Sequence, residues 1–157
     1  MKKSKSPFKS ITECSYLVRP GDANSIGTVF GGRILELMDM TASICARRHS
    51  HTMVSTIAVE DLHFQRPLVV GMVVKVLAMI NRTFTSSMEI NVEVYGEDTY
   101  KDEAFLAASG FFILVGMDQE RKPVPVPDLI PLTAEQIQRW EEAGVRREKR
   151  LVNRKRE

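Results

Sequence analysis

The sequence contains few of the residues and segments that would assign it to a specialised class of protein. It has two cysteines, Cys14 and Cys45, and their spacing matches no metal-binding or redox motif. No stretch approaches the ~18 consecutive apolar residues of a membrane-spanning helix. The basic start MKKSKSPFKS is not followed by the apolar run of a signal peptide, and repeats and low-complexity segments are absent. We therefore expect a reduced, cytoplasmic compartment and no stable insertion into a membrane.

What the sequence does contain is the composition of an ordinary globular domain. Its 157 residues are 43% hydrophobic and 27% charged, with a net charge of +2, which predicts one domain with a sizeable core. The charge is uneven, because residues 133–157 carry eight Lys or Arg against five Glu, and four lysines stand near the N-terminus. Basic ends can bind nucleic acid or an anionic membrane. We expect solvated tails here, with no nucleic-acid partner.

Hydrophobic periodicity predicts a strand, one long helix and then four strands. Apolar residues recur at helical spacing from Phe30 to His49. The segment Ser86–Tyr95 alternates apolar residues with Glu89, Asn91 and Glu93, as in a half-buried strand. The other strands are predicted over Ile11–Arg19, Met53–Phe64, Val73–Asn81 and Ala104–Met117, the last of them apolar on both faces and therefore central. Short links between strands predict antiparallel neighbours, and the pattern is typical of an α+β fold whose sheet wraps around the helix.

The C-terminal part of the chain has a different composition. The segment RKPVPVPDLIP contains four prolines, which cannot continue the interior of a sheet, so an extended arm is predicted. Thr133 then caps a polar helix, with Gln136 three residues later as in a capping box. The sequence is therefore divided into a basic N-terminal tail (1–10), the α+β domain (11–127) and a C-terminal arm with a basic helix (128–157).

Two adjacent glycines, Gly31 and Gly32, stand where the long helix begins. Glycine inside a helix costs about 1 kcal/mol relative to alanine, so the pair needs a local reason. The first turn of a helix leaves N–H groups unpaired at the positive end of the helix dipole, and such groups can stabilise an oxyanion. A second interpretation stays open, in which the glycines only permit close packing of the helix against the sheet.

A carboxylate, Asp39, lies inside the apolar pattern of the same helix. Burying a carboxylate is costly unless it is paired or used, so Asp39 is either a general base or nucleophile, or a structural residue bonded to nearby groups. Ser43, one turn later, can bond this carboxylate, position a water or bond its own helix backbone. Asn24, in the loop before the glycines, can hold a water or a carbonyl, or shape an ordinary turn.

The distance between the glycines and the acid is informative. Eight residues of helix span about 12 Å, so Asp39 does not easily act on a carbonyl held at the start of its own helix. Two antiparallel helices related by a two-fold axis would place Asp39 of one chain beside Gly31 and Gly32 of the other. Catalysis by these residues therefore predicts a dimer with two composite sites.

The segment PGDANSIGTVFGGRILELMDM resembles the N-terminal signature of the hotdog-fold cytosolic acyl-coenzyme A thioester hydrolases. The resemblance extends through ARRHS, VEDLHFQRPLVVG, NRTFTSSMEINVEV and AASGFFILVGMDQERKPVPVPDLIP, over about residues 11 to 131. It implies the hotdog fold, in which an antiparallel sheet wraps around one long helix. It also implies catalysis by Asp39 together with Asn24 of the opposite subunit, and assembly as dimers that often form trimers of dimers.

The resemblance further implies a position for coenzyme A (CoA). In the family, the CoA moiety lies near residues that match Arg82, Thr83, Phe84, Thr85, Ser86 and Ser87. These residue types suit the ligand, because an arginine binds phosphate, hydroxyls donate hydrogen bonds and an aromatic ring packs. Arg66, Arg47 and Arg48 are further phosphate candidates, each with a surface salt bridge as the alternative. Glu60 stands where the family commonly has aspartate.

These observations predict hydrolysis of fatty acyl-CoA thioesters. Water attacks the thioester carbonyl, Asp39 is the general base or nucleophile, and N–H groups around Gly31 and Gly32 stabilise the oxyanion. We expect no metal, because the three histidines lack ligand spacing, and no cofactor, because CoA is part of the substrate. The alternatives are an acyl-CoA-binding module without hydrolysis, and a hotdog dehydratase. The dehydratase needs a catalytic histidine, and none lies between Asp22 and Asp39.

Overall fold

The computed structural model describes residues 4–154 and contains a curved antiparallel sheet with one long helix on each face. In chain order, the strands and helices are β1 (Ser4–Lys5), β2 (Thr12–Leu17), α1 (Gly31–Ser50), β3 (Met53–Phe64), β4 (Val73–Thr83), β5 (Ser87–Asp98), β6 (Glu103–Met117), β7 (Asp128–Leu129) and α2 (Ala134–Arg154). Short 3-10 turns cover Pro7–Lys9 and Pro20–Asp22. None of the helices in the described part of the chain is long and apolar enough to cross a membrane.

The main sheet has the strand order β2-β4-β5-β6-β3, and all neighbours are antiparallel. This arrangement around α1 confirms the predicted α+β hotdog fold and the predicted order of one strand, one helix and four strands. The central strand is β5, so the prediction that β6 is central was wrong by one position. β6 is apolar on both faces because α1 covers its inner face and α2 reaches its outer face, where Arg146 lies over the Phe111 ring. The outermost strands are β2 and β3.

The inner face of the sheet packs on α1 through apolar side chains. Every second residue of β5 points inward, and these side chains are fully buried: Met88, Ile90, Val92 and Val94. From α1 they meet the residues of its apolar stripe, among them Leu37, Met38, Ala42 and Cys45. Burying a side chain of this size stabilises the fold by about 1.5–3 kcal/mol. Burial also raises the pKa of the Cys45 thiol to about 12, so this cysteine is the core residue that the sequence predicts.

The outer face of the sheet is covered by α2 through ionic contacts. Glu89 of β5 has no exposed surface, so the prediction of a half-buried strand with its polar face in solvent was wrong here. Its carboxylate accepts hydrogen bonds from Arg146, at 2.6 Å, and from Arg150, which also bonds Glu60 at 2.6 Å. The prediction of a solvated basic tail was therefore wrong for α2. A buried carboxylate requires partners, and the basic residues of α2 supply them.

The two stretches outside the predicted domain contact each other. Strand β1 pairs in parallel with β7, which joins the start of the chain to the C-terminal arm. His49, at the end of α1, is buried with Nε2 at 3.0 Å from the carbonyl oxygen of Pro127, and its burial lowers its pKa. Thr133 Oγ1 accepts a hydrogen bond from the N–H of Gln136, which confirms the predicted cap of α2.

Candidate active site

Asp39 lies near the middle of α1, where the helix faces the edge strand β3. The hydroxyl of Thr56 donates a 2.5 Å hydrogen bond to Asp39 Oδ1. The Asp39 side chain is only partly buried and opens on a cleft of about 360 Å³ between α1 and β3. The other lining residues are mostly apolar or small: Gly32, Leu35, Val59 and Phe112, with Glu36 at the rim. The site therefore presents an oriented carboxylate to a cleft with largely apolar walls.

The hydrogen-bond partner of Asp39 is Thr56, a residue that the sequence reasoning did not single out. Thr56 gives no signal of its own in the sequence, because threonine is an ordinary residue in a strand rich in β-branched side chains. Ser43, for which the sequence left open a bond to Asp39, a bond to water and a bond to its own helix backbone, makes no hydrogen bond to Asp39 within residues 4–154. It lines a separate cavity of about 990 Å³ with Arg47, Arg48 and other residues at the end of α1.

The first turn of α1 carries unpaired backbone donors. Phe30 occupies the N-cap position and provides no side-chain cap. Across the part of the chain that the structure describes, the N–H groups of Gly31 and Gly32 have no acceptor. A Cβ added at Gly32 would meet nothing within 4 Å, and one at Gly31 would only reach ordinary contact with the Phe64 ring. Close packing does not require Gly32, whereas a ligand can approach its backbone freely.

Asn24 shapes the loop that leads into this turn. Its Oδ1 accepts hydrogen bonds from the N–H groups of Ile26 and Thr28, both at 3.1 Å, and its Nδ2 donates to Thr28 Oγ1 at 2.9 Å. The turn interpretation of Asn24 is therefore correct. One N–H of the amide is used in this way, and the second is the group that a ligand or water can bind.

Asp22 fastens the same loop to the helix. Its carboxylate accepts hydrogen bonds from the N–H of Arg19 at 2.8 Å, from the Tyr16 hydroxyl and from Arg33 Nε. The bond from the Arg19 backbone, with those from Tyr16 and Arg33, holds the pKa of Asp22 below its usual range. The Phe30 N–H donates to the Asp22 carbonyl oxygen, so the loop with Asn24 and the first turn of α1 form one unit.

Asp39 and Gly31 contact opposite ends of β3. Asp39 bonds Thr56 near the start of this strand, whereas Gly31 lies against Phe64 at its last residue. Along α1 the two are separated by eight residues, or about 12 Å. Although Gly32 lines the same cleft as Asp39, this separation is too long for the carboxylate and the N–H groups of the first turn to contact one reacting carbonyl within a single chain.

The residues predicted to lie near CoA form the hairpin between β4 and β5, and most of them contact the C-terminal part of the chain. The Arg82 guanidinium stacks on Trp140 of α2, 3.4 Å from the ring centroid, and donates to the Trp140 carbonyl oxygen. Phe84 lies between Arg82 and Arg147 of α2, and Ser87 Oγ accepts a hydrogen bond from Arg147 at 3.1 Å.

The remaining hairpin residues bond to the arm and to β6. Thr83 Oγ1 accepts from the N–H of Leu129, and the Thr85 carbonyl oxygen accepts from the N–H of Val126. The Ser86 carbonyl oxygen accepts from the N–H of Gly116. The hairpin is therefore one wall of a structure whose other walls are the arm and α2.

The other arginines that were candidates for phosphate binding lie away from the hairpin. Arg66 follows the end of β3, and its guanidinium lies over the Phe105 ring at 4.0 Å. The hairpin is at the opposite end of the sheet, because Ser87 pairs with a β6 residue that pairs with the start of β3. Arg48 donates to the Ile11 carbonyl oxygen and to Thr12. No group of three His, Cys, Asp or Glu side chains in residues 4–154 is placed to hold a metal ion.

Comparison with known proteins places this chain in a family. A model described as "Thioesterase superfamily" matches residues 26–103. The uncharacterized acyl-CoA thioester hydrolase YkhA of Bacillus subtilis is 37% identical over 139 residues, which are 88% of this chain and 80% of the Bacillus protein. The chain belongs to the thioesterase superfamily. The cytosolic acyl coenzyme A thioester hydrolase of Rattus norvegicus is also 37% identical, over 81% of this chain, and the match spans about a third of the rat protein, 34%.

Solved structures of this superfamily share the fold over nearly the whole chain. A hexameric acyl-CoA thioesterase aligns with a TM-score of 0.93 at 31% identity, covering 96% of this chain and 97% of that chain. An acyl-CoA hydrolase from Staphylococcus aureus in complex with butyryl-CoA, CoA and CoA disulfide aligns with a TM-score of 0.89 at 30% identity, covering 96% and 92%. The Staphylococcus protein has also been solved with alanine in place of an aspartate, a threonine or an asparagine.

Proposed function

We propose that this protein hydrolyses fatty acyl-CoA thioesters, with Asp39 as the group that activates water. The observation that carries the proposal is the hydrogen bond between Thr56 and Asp39 at an open, largely apolar cleft. In the Staphylococcus hydrolase, the residues replaced by alanine are an asparagine, an aspartate 15 positions later and a threonine 17 positions after that. Asn24, Asp39 and Thr56 have the same types and the same spacings.

The chemistry follows from the groups at the cleft. Water attacks the thioester carbonyl carbon while Asp39 accepts its proton, which forms a C–O bond and a tetrahedral oxyanion. The oxyanion then collapses, the C–S bond breaks and the CoA sulfur takes the proton that Asp39 had accepted, so CoA leaves as the thiol. Thr56 holds Oδ1 of the carboxylate, so Oδ2 can face the water. Direct attack by Asp39 through an anhydride is the alternative route, and neither route uses a cofactor.

A dimer would complete each site. Strand β3 is an outermost strand of 12 residues with exposed apolar side chains at Ile57, Val59 and Phe64, and such an edge favours pairing with another strand. Antiparallel pairing of β3 with its copy places the start of one strand beside the end of the other. Asp39 would then lie beside Gly31 of the partner subunit, whose free N–H groups can stabilise the oxyanion.

Symmetry makes the two sites of such a dimer equivalent. The hexameric state of related thioesterases supports an assembly of three such dimers. The mammalian relatives are named cytosolic, which supports a cytoplasmic location for this protein as well.

Replacement of Asp39 tests the function. We expect Asp39→Ala to lower kcat for an acyl-CoA at least about 10³-fold, because general-base catalysis and the ordering of water are both lost. Release of thiol measures turnover, and an unchanged oligomer size and Tm show that the fold is intact. Glu36→Ala, at the rim of the same cleft, is the matched control and should retain most activity. Retention of most activity by Asp39→Ala would refute the mechanism.

Mixing two inactive variants tests whether sites are shared. Asp39→Ala and Gly32→Pro proteins each damage both sites of their own dimer, since proline removes the N–H of position 32. A mixed dimer would contain one site with both defects and one site with neither. Recovery of activity after subunit exchange is the expected result. Absence of recovery, after exchange is verified by mass spectrometry, would contradict composite sites.

A further inference from the structure

One carboxylate, that of Asp22, joins the loop that carries Asn24 to two other elements. It accepts hydrogen bonds from the Arg19 N–H at 2.8 Å, from the Tyr16 hydroxyl at 3.0 Å and from Arg33 Nε at 3.2 Å. Tyr16 belongs to strand β2 and Arg33 to helix α1, so the carboxylate connects the sheet, the loop and the helix. Only 12% of the Asp22 side chain is exposed, which limits the competition of water for these bonds.

The loop keeps its own shape through bonds that do not involve the Asp22 side chain. The Asn24 N–H donates to the Thr28 carbonyl oxygen at 2.8 Å, and Asn24 Nδ2 donates to Thr28 Oγ1 at 2.9 Å. The Phe30 N–H donates to the backbone carbonyl oxygen of Asp22, which closes the loop at the start of α1. Loss of the carboxylate would therefore leave the turn folded, and it would loosen the position of the turn against β2 and α1.

Arg33, in the first turn of α1, contacts two carboxylates that do different things. Its guanidinium carbon lies 4.8 Å from the centroid of the Tyr16 ring, and its Nη1 donates to Glu36 at 2.6 Å. Because Glu36 belongs to the same helix, its bond to Arg33 does not fix the loop. The bond from Arg33 to Asp22 passes from the helix to the loop. Asp22 is therefore the carboxylate that sets how the loop lies against the first turn.

We propose that Asp22 is a positioning residue for hydrolysis, which holds the amide of Asn24 and the N–H groups of Gly31 and Gly32 in a fixed relation to one another. The loop supplies the second N–H of the Asn24 amide, and the helix supplies the N–H groups of its first turn. A misplacement of about 1 Å in such donors can cost about 10²-fold in rate. Asp22 itself does not touch the reacting atoms. This inference rests on the proposed acyl-CoA hydrolysis.

Asp22→Asn tests the proposal, because it keeps the size of the side chain and replaces one acceptor oxygen with an NH₂ donor. We expect kcat for an acyl-CoA to fall about 10- to 100-fold, with KM within about threefold of the wild type, because misplaced donors weaken binding of the transition state alone. Tyr16→Phe, which removes one bond to the carboxylate, should lower kcat about threefold. Asp98→Asn is the matched control and should behave as wild type, since Asp98 also accepts from a backbone N–H and a cation, those of Tyr100 and Lys101.

Glycine-selective ¹⁵N labelling of the full chain gives a readout that does not need turnover. The amide resonances of Gly31 and Gly32 should shift or broaden in Asp22→Asn, whereas that of Gly116, in β6, should not change. If Asp22→Asn lowers Tm or changes the oligomer size, Tyr16→Phe decides the same question with the carboxylate still in place.

Three results would overturn the role of Asp22. They are a wild-type kcat in Asp22→Asn, an equal loss of kcat in Asp98→Asn, and a raised KM with unchanged kcat, which would assign Asp22 to substrate binding. Failure of the wild type to hydrolyse acyl-CoA would refute the proposed function instead. The glycine resonances would then still show whether Asp22 positions the first turn of α1.

Discussion

On the inner face of the sheet, α1 packs on side chains such as Ile90 and Val92, which have no exposed surface and no polar atoms. On the outer face, α2 packs on Glu89, which has no exposed surface either, through hydrogen bonds to Arg146 and Arg150. The same strand therefore binds one helix by apolar burial and the other by ion pairs. Apolar contacts are non-directional and tolerate rearrangement, whereas the ion pairs depend on a few atoms whose loss leaves a buried charge.

Removing apolar volume from the inner face should cause the largest loss of stability. Ile90→Ala leaves a cavity in the core, and we expect the free energy of unfolding to fall by about 4 kcal/mol. Asn91→Ala, the next residue on the opposite face, is the matched control and should cost less than about 1 kcal/mol. Urea denaturation of both variants measures the difference. Equal losses would show that the two faces do not differ in the way described.

Breaking the ion pairs of the outer face should cost somewhat less. Arg146→Met removes one partner of a fully buried carboxylate, and we expect a loss of about 3 kcal/mol in urea denaturation. The combination of Glu89→Gln, Arg146→Met and Arg150→Met should return stability to within about 1 kcal/mol of the native protein, because the fully buried charge of Glu89 is removed with its partners and Glu60, which loses Arg150, is only partly buried.

A buried oxygen atom of Asn81 also favours this combined replacement. Asn81 Nδ2 donates to Glu89, and Asn81 Oδ1 is buried without a partner in residues 4–154. The side-chain amide that Glu89→Gln introduces can accept a hydrogen bond from Asn81 Nδ2 and donate one to Asn81 Oδ1. If the triple variant is less stable than Arg146→Met alone, the ion pairs of Glu89 stabilise the folded protein by more than the free energy that is recovered when its buried charge is removed.

The smallest effect is expected where α2 crosses Arg82. A Cβ at Gly144 would overlap Arg82 Nη1, so Gly144→Ala must displace the guanidinium from Trp140. We expect a net loss of about 1 kcal/mol, although alanine favours a helix by a similar amount. In an Arg82→Ala background the same substitution should stabilise the protein by about 1 kcal/mol. Thermal unfolding of the protein with and without Gly144→Ala, in the native and in the Arg82→Ala background, checks this change of sign. A gain in stability in both backgrounds would contradict the prediction.

The inner face could be predicted from the sequence because its signal is periodic. The alternation of Met88, Ile90 and Val92 gave β5, and the helical recurrence of apolar residues gave α1 to within one residue of each end. The outer face lacked such a signal. Glu89 and Arg146 are 57 positions apart, and nothing in a charged helix indicates which carboxylate each arginine meets. Solvation is the ordinary state of such a helix, and only the fold shows that this one is docked.

The candidate site likewise contains some residues that could be predicted from the sequence and others that could not. Asp39 and Gly32 could be selected because each conflicts with its local surroundings, an acid among apolar residues and a glycine in a helix. Thr56 could not be selected, because threonine fits a strand without conflict. Helical spacing made Ser43 one candidate partner of Asp39, yet spacing along one helix does not identify a partner on another element. Asn24 shapes the turn and keeps one N–H donor unused. This could be recognised only from the positions of Ile26 and Thr28 in the structure.

The burial of Cys45 has a practical consequence. Only the thiolate reacts with alkylating reagents, and burial raises the pKa of this thiol to about 12. With Cys14 replaced by serine, the protein would carry a single thiol, located at the contact between α1 and the inner face. Its rate of modification would then report how often that contact opens, without denaturant and without an added probe. The rate of modification of Cys45 would thus measure how fast the helix separates from the sheet in the native protein.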